Sequence, residues 1–435
     1  MPARGELAPD ARLLLLGARS RPELAADREL AALASGAVDW PGLVELAVRE
    51  GTAPLLDSHL DRLGLLPRLP GPARRRLTEV ARGVWAANAV LARHWGEATA
   101  ALRGAGVDTL TLKGMALANV VYAEPGLRPM ADVDLLVRPD DRATALATLR
   151  ELGYRTPGEA ADLLGESRSF AELVRDGARI DLHWHAARYL RFEGIVEVDH
   201  AGLWDRARPL VTPEGRSLMP APEDLVLHLV VHLTLGSDFA RVLWYADLDA
   251  VVRRFARELD WERLTTAADR WRVRTLTGWA LGVVALSFGT PLPAGLLERL
   301  GQGRLRRAAV AGRIGATTPP SLAGALGDAR VYPAQTLMMD RPADAVRVVA
   351  RTFFPSATWL THHYTLEPWQ VPLYRAVHPL RVCWLAAAGA DRAPGVGQAL
   401  IRGRGRTIQQ AVLSRSVTTK PESRISASAS ALSRK

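Results

Sequence analysis

Arg128-Pro129-Met130-Ala131-Asp132-Val133-Asp134-Leu135-Leu136-Val137 is a short strand-like run in which two acids stand two residues apart. Side chains two apart on a strand share a face, so Asp132 and Asp134 place their carboxylates side by side while Val133 and Leu135 face a core. A second run, Arg179–His185, repeats the arrangement: Ile180, Leu182 and Trp184 form one apolar face, and Asp181, His183 and His185 the other. Paired carboxylates want a cation. Magnesium takes hard oxygen ligands and keeps positions open for water and phosphate, and two such ions roughly 3.5–4 Å apart can clamp an in-line phosphoryl displacement. Asp132, Asp134 and Asp181 are therefore the candidate catalytic and metal-ligating residues.

Working outward, Val107–Leu112 is short and rich in Val, Thr and Leu, and Lys113-Gly114 follows it ahead of a helical stretch to about Tyr122. The pattern predicts strand, tight turn, helix. Pro125-Gly126 makes a turn before the strand Asp132–Val137. Pro139-Asp140-Asp141 then opens a helix with proline and acids in its first turn, and Gly153 closes it. Ser169–Val174 and Ala178–His185 flank Asp176-Gly177, a pair that tolerates positive φ and predicts a hairpin with Asp181 in its second strand.

Helical periodicity surrounds this core. From about Arg21 to Ala105 apolar residues recur at three- and four-residue spacing, as in Leu43, Leu46, Ala47 and in Val84, Ala87, Val90, Leu91, with one break at Pro67, Pro70 and Pro72. Helices return from Pro222, which is followed by Glu223 and Asp224, to about Val310, and shorter pieces continue to about Gly389. Beyond Pro394, Gly, Arg and Ser rise and apolar periodicity fades, so disorder is expected. The fold class expected is α+β: a small mixed-sheet core over residues 106–220, helical regions over 1–105 and 221–392, and a basic tail over 393–435.

The chain has 435 residues, 48% of them hydrophobic, which is enough for a large core and more than one domain. Its net charge of +10 is carried mostly by the tail, where eight basic residues face only Glu422, so 10 − 7 leaves about +3 for the rest. A basic nucleic-acid groove is not required by that balance. The single cysteine, Cys383, excludes an internal disulfide and a cysteine zinc module and fits a reducing, cytoplasmic setting. The longest apolar run, Leu276–Phe288, is too short for a membrane span and reads as a buried helix.

The runs Leu112-Lys113-Gly114-Met115-Ala116-Leu117, Arg128–Val137 and Ile180-Asp181-Leu182-His183-Trp184 together resemble a bacterial group of uncharacterised nucleotidyltransferases in the DNA polymerase beta superfamily. The similarity takes in the helices ahead of Gly106 and a later segment with His228, His232, Trp244 and Asp247, reaching about Phe354-Pro355-Ser356. The resemblance implies a polymerase-beta-type core and transfer of a nucleoside monophosphate from a nucleoside triphosphate, ATP included, to a hydroxyl, with pyrophosphate leaving. It implies two magnesium ions on Asp132 and Asp134. It implies further that Asp181 completes the ion that activates the acceptor and takes its proton. One departure stands at the turn before the helix: the superfamily commonly has Gly-Ser, and this chain has Gly114-Met115. Backbone N–H groups at Gly114 can still cradle a phosphate, with Lys113 or Arg128 adding charge. Lys113 stands out because lysine occurs elsewhere only at Lys420 and Lys435.

His183 shares the carboxylate face, where a contact to nucleotide and a place in a hydrogen-bond network are both open. His228 and His232 lie one helical turn apart, but Leu229-Val230-Val231 between them lacks the glutamate of a metalloprotease motif. The same metal site would also serve a kinase-like transfer of the terminal phosphoryl group, set by triphosphate orientation. A non-catalytic nucleotide-binding module is the third reading, against which the intact carboxylates speak. The acceptor is a small molecule, a peptide or a protein sooner than nucleic acid.

Overall fold

The computed structural model describes residues 7–156, 169–187, 189–301, 304–315, 318–322, 328–364 and 366–387. The basic tail and its expected disorder lie outside the described residues. At the N-terminal side, helices α1 (Pro9–Gly17), α2 (Leu24–Ala34), α3 (Trp40–Glu50) and α4 (Ala53–Arg62) precede the long α5 (Gly71–Gly104). Asp39 caps α3 by accepting from the Gly42 amide at 3.1 Å. The prolines act where the sequence places them. A single 3₁₀ turn, Leu66–Arg68, separates α4 from α5, and Pro72 sits in the first turn of α5. Leu77, Val84, Leu91, Trp95, Ala98 and Leu102 make one buried face of α5.

The core is a mixed six-stranded sheet in the order β3-β4-β2-β1-β6-β5. Its members are β1 (Leu110–Thr111), β2 (Val133–Leu136), β3 (Phe170–Arg175), β4 (Ala178–His183), β5 (Arg208–Val211) and β6 (Arg216–Met219), with α6 (Lys113–Val120), α7 (Arg142–Glu151) and α8 (His200–Asp205) between them. With the flanking helices this gives the α+β class read from the sequence. β2 runs antiparallel to β1 and parallel to β4, so it lies at the middle of the sheet, and its four residues are all buried. The β3–β4 hairpin turns through Asp176 and Gly177 with φ of 51° and 79°. Two consecutive left-handed residues make a turn whose twist matches that of the strands.

Three details differ from the sequence reading. β1 is two residues long where six were expected: Leu110 and Thr111 pair with β2, and Leu110 also pairs with β6. Pro139–Asp141 forms a 3₁₀ turn and α7 starts after it, at Arg142. The β5–β6 hairpin was not foreseen: Arg208–Val211 buries Leu210 but leaves Val211 exposed, so it has no run of alternating apolar residues.

The C-terminal side is helical again: α9 (Pro222–Val231), α10 (Val242–Arg254), α11 (Trp261–Arg270), α12 (Arg274–Phe288), α13 (Leu296–Arg299), α14 (Arg304–Ile314), α15 (Asp328–Leu337), α16 (Pro342–Phe353), α17 (Ala357–Tyr364) and α18 (Val371–Ala387). Every residue of α9 is buried, and α10 and α12 pack against it. Leu276–Phe288 is thus part of the buried helix α12, as its length implied. No helix among the described residues is long and apolar enough to cross a membrane.

Candidate active site

Parallel pairing of β2 with β4 sets Asp134 directly opposite Asp181, and Leu136 opposite His183. Because residues two apart share a face, Asp181 and His183 both reach the side on which Asp134 projects. Ligand atoms of Asp134, Asp181 and His183 lie within 4.8 Å of one another. That is a cluster of two hard carboxylates and one imidazole, a donor set that fits a divalent cation.

The two carboxylates have opposite environments. Asp134 Oδ1 accepts from Lys113 Nζ at 2.8 Å and from His183 Nε2 at 2.9 Å. Burial alone would push the Asp134 carboxyl up, but Lys113 and His183 together hold it well below the ordinary carboxylate range. Asp181 has the weaker support: its Oδ1 is buried without a hydrogen-bond partner and meets only Arg179 Nε at 3.6 Å. Burial, then the charge of Asp132, push the Asp181 carboxyl well above its usual range despite Arg179. A buried carboxylate oxygen with no donor is an acceptor held ready for a cation.

Asp132 is placed differently from the expectation. It stands one residue ahead of β2 rather than within the strand, and its Oδ2 is held by an Arg179 guanidinium nitrogen. Arg179 thus bridges Asp132 and Asp181. Arg179 is a residue the sequence reading passed over. Standing two residues before Asp181 on β4, it shares that residue's face by strand alternation, which is the signal that could have found it.

Lys113 begins α6 with a left-handed φ of 39°, which turns its side chain toward Asp134. Gly114 follows because the space is taken: a Cβ there would come within 2.9 Å of Arg128 Nη1 and 3.1 Å of Met130. Arg128 is buried and already committed. Its Nε and Nη2 donate to the two oxygens of Asp247 at 2.9 and 2.8 Å, and Tyr122 Oη donates to the same carboxylate at 2.6 Å. Asn88 on α5 fixes the loop by donating to the carbonyls of Pro125 and Arg128. The guanidinium therefore joins the start of α6 to α10, with its charge matched by Asp247.

Two histidines on the α9 side complete the surroundings. His228 is 1% exposed and neither ring nitrogen has a hydrogen-bond partner. Burial, reinforced by the positive charge of Lys113, pushes His228 down to about 3, so it is a neutral imidazole within electrostatic reach of Asp134 and His183. His232 opens a π-helical turn, His232–Gly236, and packs edge-on against Trp244 at 5.0 Å. Irregular helical turns of this kind often mark functional sites. The four-residue spacing was visible in the sequence, but not that both rings come within electrostatic reach of Lys113 and Asp134. Tyr189, also held neutral by burial, lies close enough to feel Lys113 and Asp134.

In the mixed sheet Asp134 thus stands opposite Asp181, beside the Lys113-Gly114 turn that opens α6. Residues 36–289, more than half of the chain, match a family described as uncharacterised nucleotidyltransferase. The chain belongs to this nucleotidyltransferase family. No curated protein and no solved structure matches it. Membership makes nucleotidyl transfer the general reaction class and a nucleoside triphosphate the substrate, and nucleotidyltransferases use divalent metals. The matched span begins just after α2 and ends just after α12, so it contains the sheet, Lys113, His228 and His232.

Proposed function

We propose that this nucleotidyltransferase moves a nucleoside monophosphate from a nucleoside triphosphate to a hydroxyl of a small molecule, peptide or protein, with pyrophosphate leaving. The observation that carries this reading is the in-register Asp134–Asp181 pair beside His183, with one buried Asp181 oxygen lacking a donor. Asp134 and Asp181 would hold magnesium, with Asp132 at the mouth contributing as Arg179 shifts toward phosphate. Bound there, two ions supply charge neutralisation for the triphosphate and acidify the acceptor hydroxyl.

The chain's own groups divide the remaining work. Lys113 leaves Asp134 for a phosphate oxygen, and the amide at Gly114 donates to the same group at the start of α6. His183 orients Asp134 through its 2.9 Å bond. Asp181 accepts the proton of the acceptor hydroxyl as its oxygen bonds to the α-phosphorus and the bond from that phosphorus to pyrophosphate breaks. α9 and the helices after it wall the acceptor side.

Incubation with labelled nucleoside triphosphates, magnesium and candidate acceptors, read by mass spectrometry, tests this. A nucleotidyl mass on the acceptor with an equivalent of pyrophosphate is expected, and its loss in Asp134→Asn. A phosphoryl mass with nucleoside diphosphate would replace the proposal with terminal phosphoryl transfer.

A further inference from the structure

The last described helix, α18, carries an apolar face that nothing in the described chain covers. Leu373, Val377 and Leu380 follow one another at four- and three-residue spacing and share one side of the helix, with 61, 49 and 70% of their surface exposed. Trp369, in the 3₁₀ turn just ahead, is 74% exposed. The helix is tied to the body by its other side, where buried His378 donates from Nε2 to the Thr352 carbonyl at 3.1 Å and Tyr364 Oη meets its Nδ1 at 3.3 Å. This leaves the leucines outward by anchoring, not by fraying.

Charge decides what covers such a face. From Trp369 to Cys383 there is no acid, while Arg375 and Arg381 are exposed. The sequence directly beyond, residues 393–435, holds eight basic residues against one acid. A second copy of the chain carries the same net charge of +10, and like charge opposes that pairing. Nucleic acid answers the arginines but offers no apolar partner for Leu373, Val377 and Leu380. An anionic lipid surface answers both: aliphatic side chains and Trp enter the headgroup boundary while Arg and Lys meet lipid phosphates. Among the described residues no helix, α18 included, is long and apolar enough to cross a membrane, so a surface-lying pose is the one considered.

We propose that α18 is a peripheral docking surface for anionic membranes, with Trp369, Leu373, Val377 and Leu380 inserted and Arg381, at the flank of that face, held on the headgroups.

The test is co-sedimentation of the full chain with phosphatidylglycerol/phosphatidylcholine vesicles, beside phosphatidylcholine vesicles alone. Binding to the anionic vesicles is expected, weakened about tenfold or more by their removal or by high salt. Combined Leu373→Ser, Val377→Ser and Leu380→Ser should weaken it by about the same factor, since the inserted side chains carry the apolar share of binding. Cys383, exposed and the chain's single cysteine, gives a second readout on the unsubstituted helix: a polarity-sensitive fluorophore there should shift to the blue with anionic vesicles only. Wild-type chain left in the supernatant overturns the proposal, as does a triple variant that binds like wild type. An unshifted Cys383 probe, or a concentration-dependent dimer that the triple variant dissolves without any vesicle binding, overturns it equally. So does a blue shift produced by nucleic acid and not by lipid.

Discussion

The Lys113 ammonium donates to Asp134 Oδ1 over 2.8 Å and so holds a cation at the oxygen that a metal ion would use. Lysine occurs at three positions in the chain, and this is the one inside the matched span. Without nucleotide, Lys113 and a divalent ion compete for the same carboxylate. Lys113→Met should therefore tighten binding of manganese or magnesium alone, measured calorimetrically, while lowering nucleotide turnover by about tenfold or more through loss of a phosphate contact. It should also cost roughly 1–3 kcal/mol of stability in chelator, because Asp134 loses one of its two donors. Unchanged turnover would remove Lys113 from the phosphate site.

Asp181 and Asp134 should respond in opposite directions to the same substitution. Asp181→Asn removes a carboxylate that burial and Asp132 already disfavour, so the chelated protein should melt at the same temperature or higher. Asp134→Asn removes a carboxylate stabilised by Lys113 and His183, so the chelated protein should melt lower. Both should lose magnesium-dependent turnover by about a hundredfold or more. Equal melting shifts for the two variants would contradict the environments assigned to them.

The Arg128–Asp247 pair is expected to be a structural clamp. Both side chains are almost fully buried, and two parallel hydrogen bonds join them. Asp247→Ala should cost about 3–5 kcal/mol by leaving Arg128 charged and unpaired. The double variant Arg128→Met with Asp247→Leu should be more stable than either single change. Additive losses in that double-mutant cycle, measured by denaturant unfolding, would show that the two residues act independently.

His228 gives a pH dependence whose sign is set by burial. Its folded value is depressed to about 3 from an ordinary 6.5, so between those values the unfolded chain binds a proton that the folded chain does not. Stability from this residue is therefore complete above about 6.5 and falls as pH drops toward 3, by up to about 1.4 kcal/mol per pH unit. In His228→Gln the slope of unfolding free energy against pH between 6 and about 4 should be shallower by that amount. An unaltered slope would mean that the buried imidazole takes up its proton in the fold.

Much of this protein was legible in local pattern. Alternation around Asp132–Val137 and Arg179–His185 specified strands with acids on one face, and Asp176-Gly177 specified the hairpin, because a two-residue period and a positive-φ pair act within a few residues. Helical spacing marked α5 and α12 for the same reason. What local pattern could not contain is which strand lies beside which. The parallel register of β2 on β4 brings Asp134 to Asp181 and His183, whereas Asp132, one residue outside β2, turns to Arg179. Arg128 read as a free cation until packing set Asp247, 119 residues later, against it. His228 and His232 read as a spacing without a site until burial of the whole of α9 carried His228 to within reach of Lys113. A side chain's face is set by its own backbone period. Its partner, its desolvation and hence its charge are set by long-range packing, which only the tertiary structure decides.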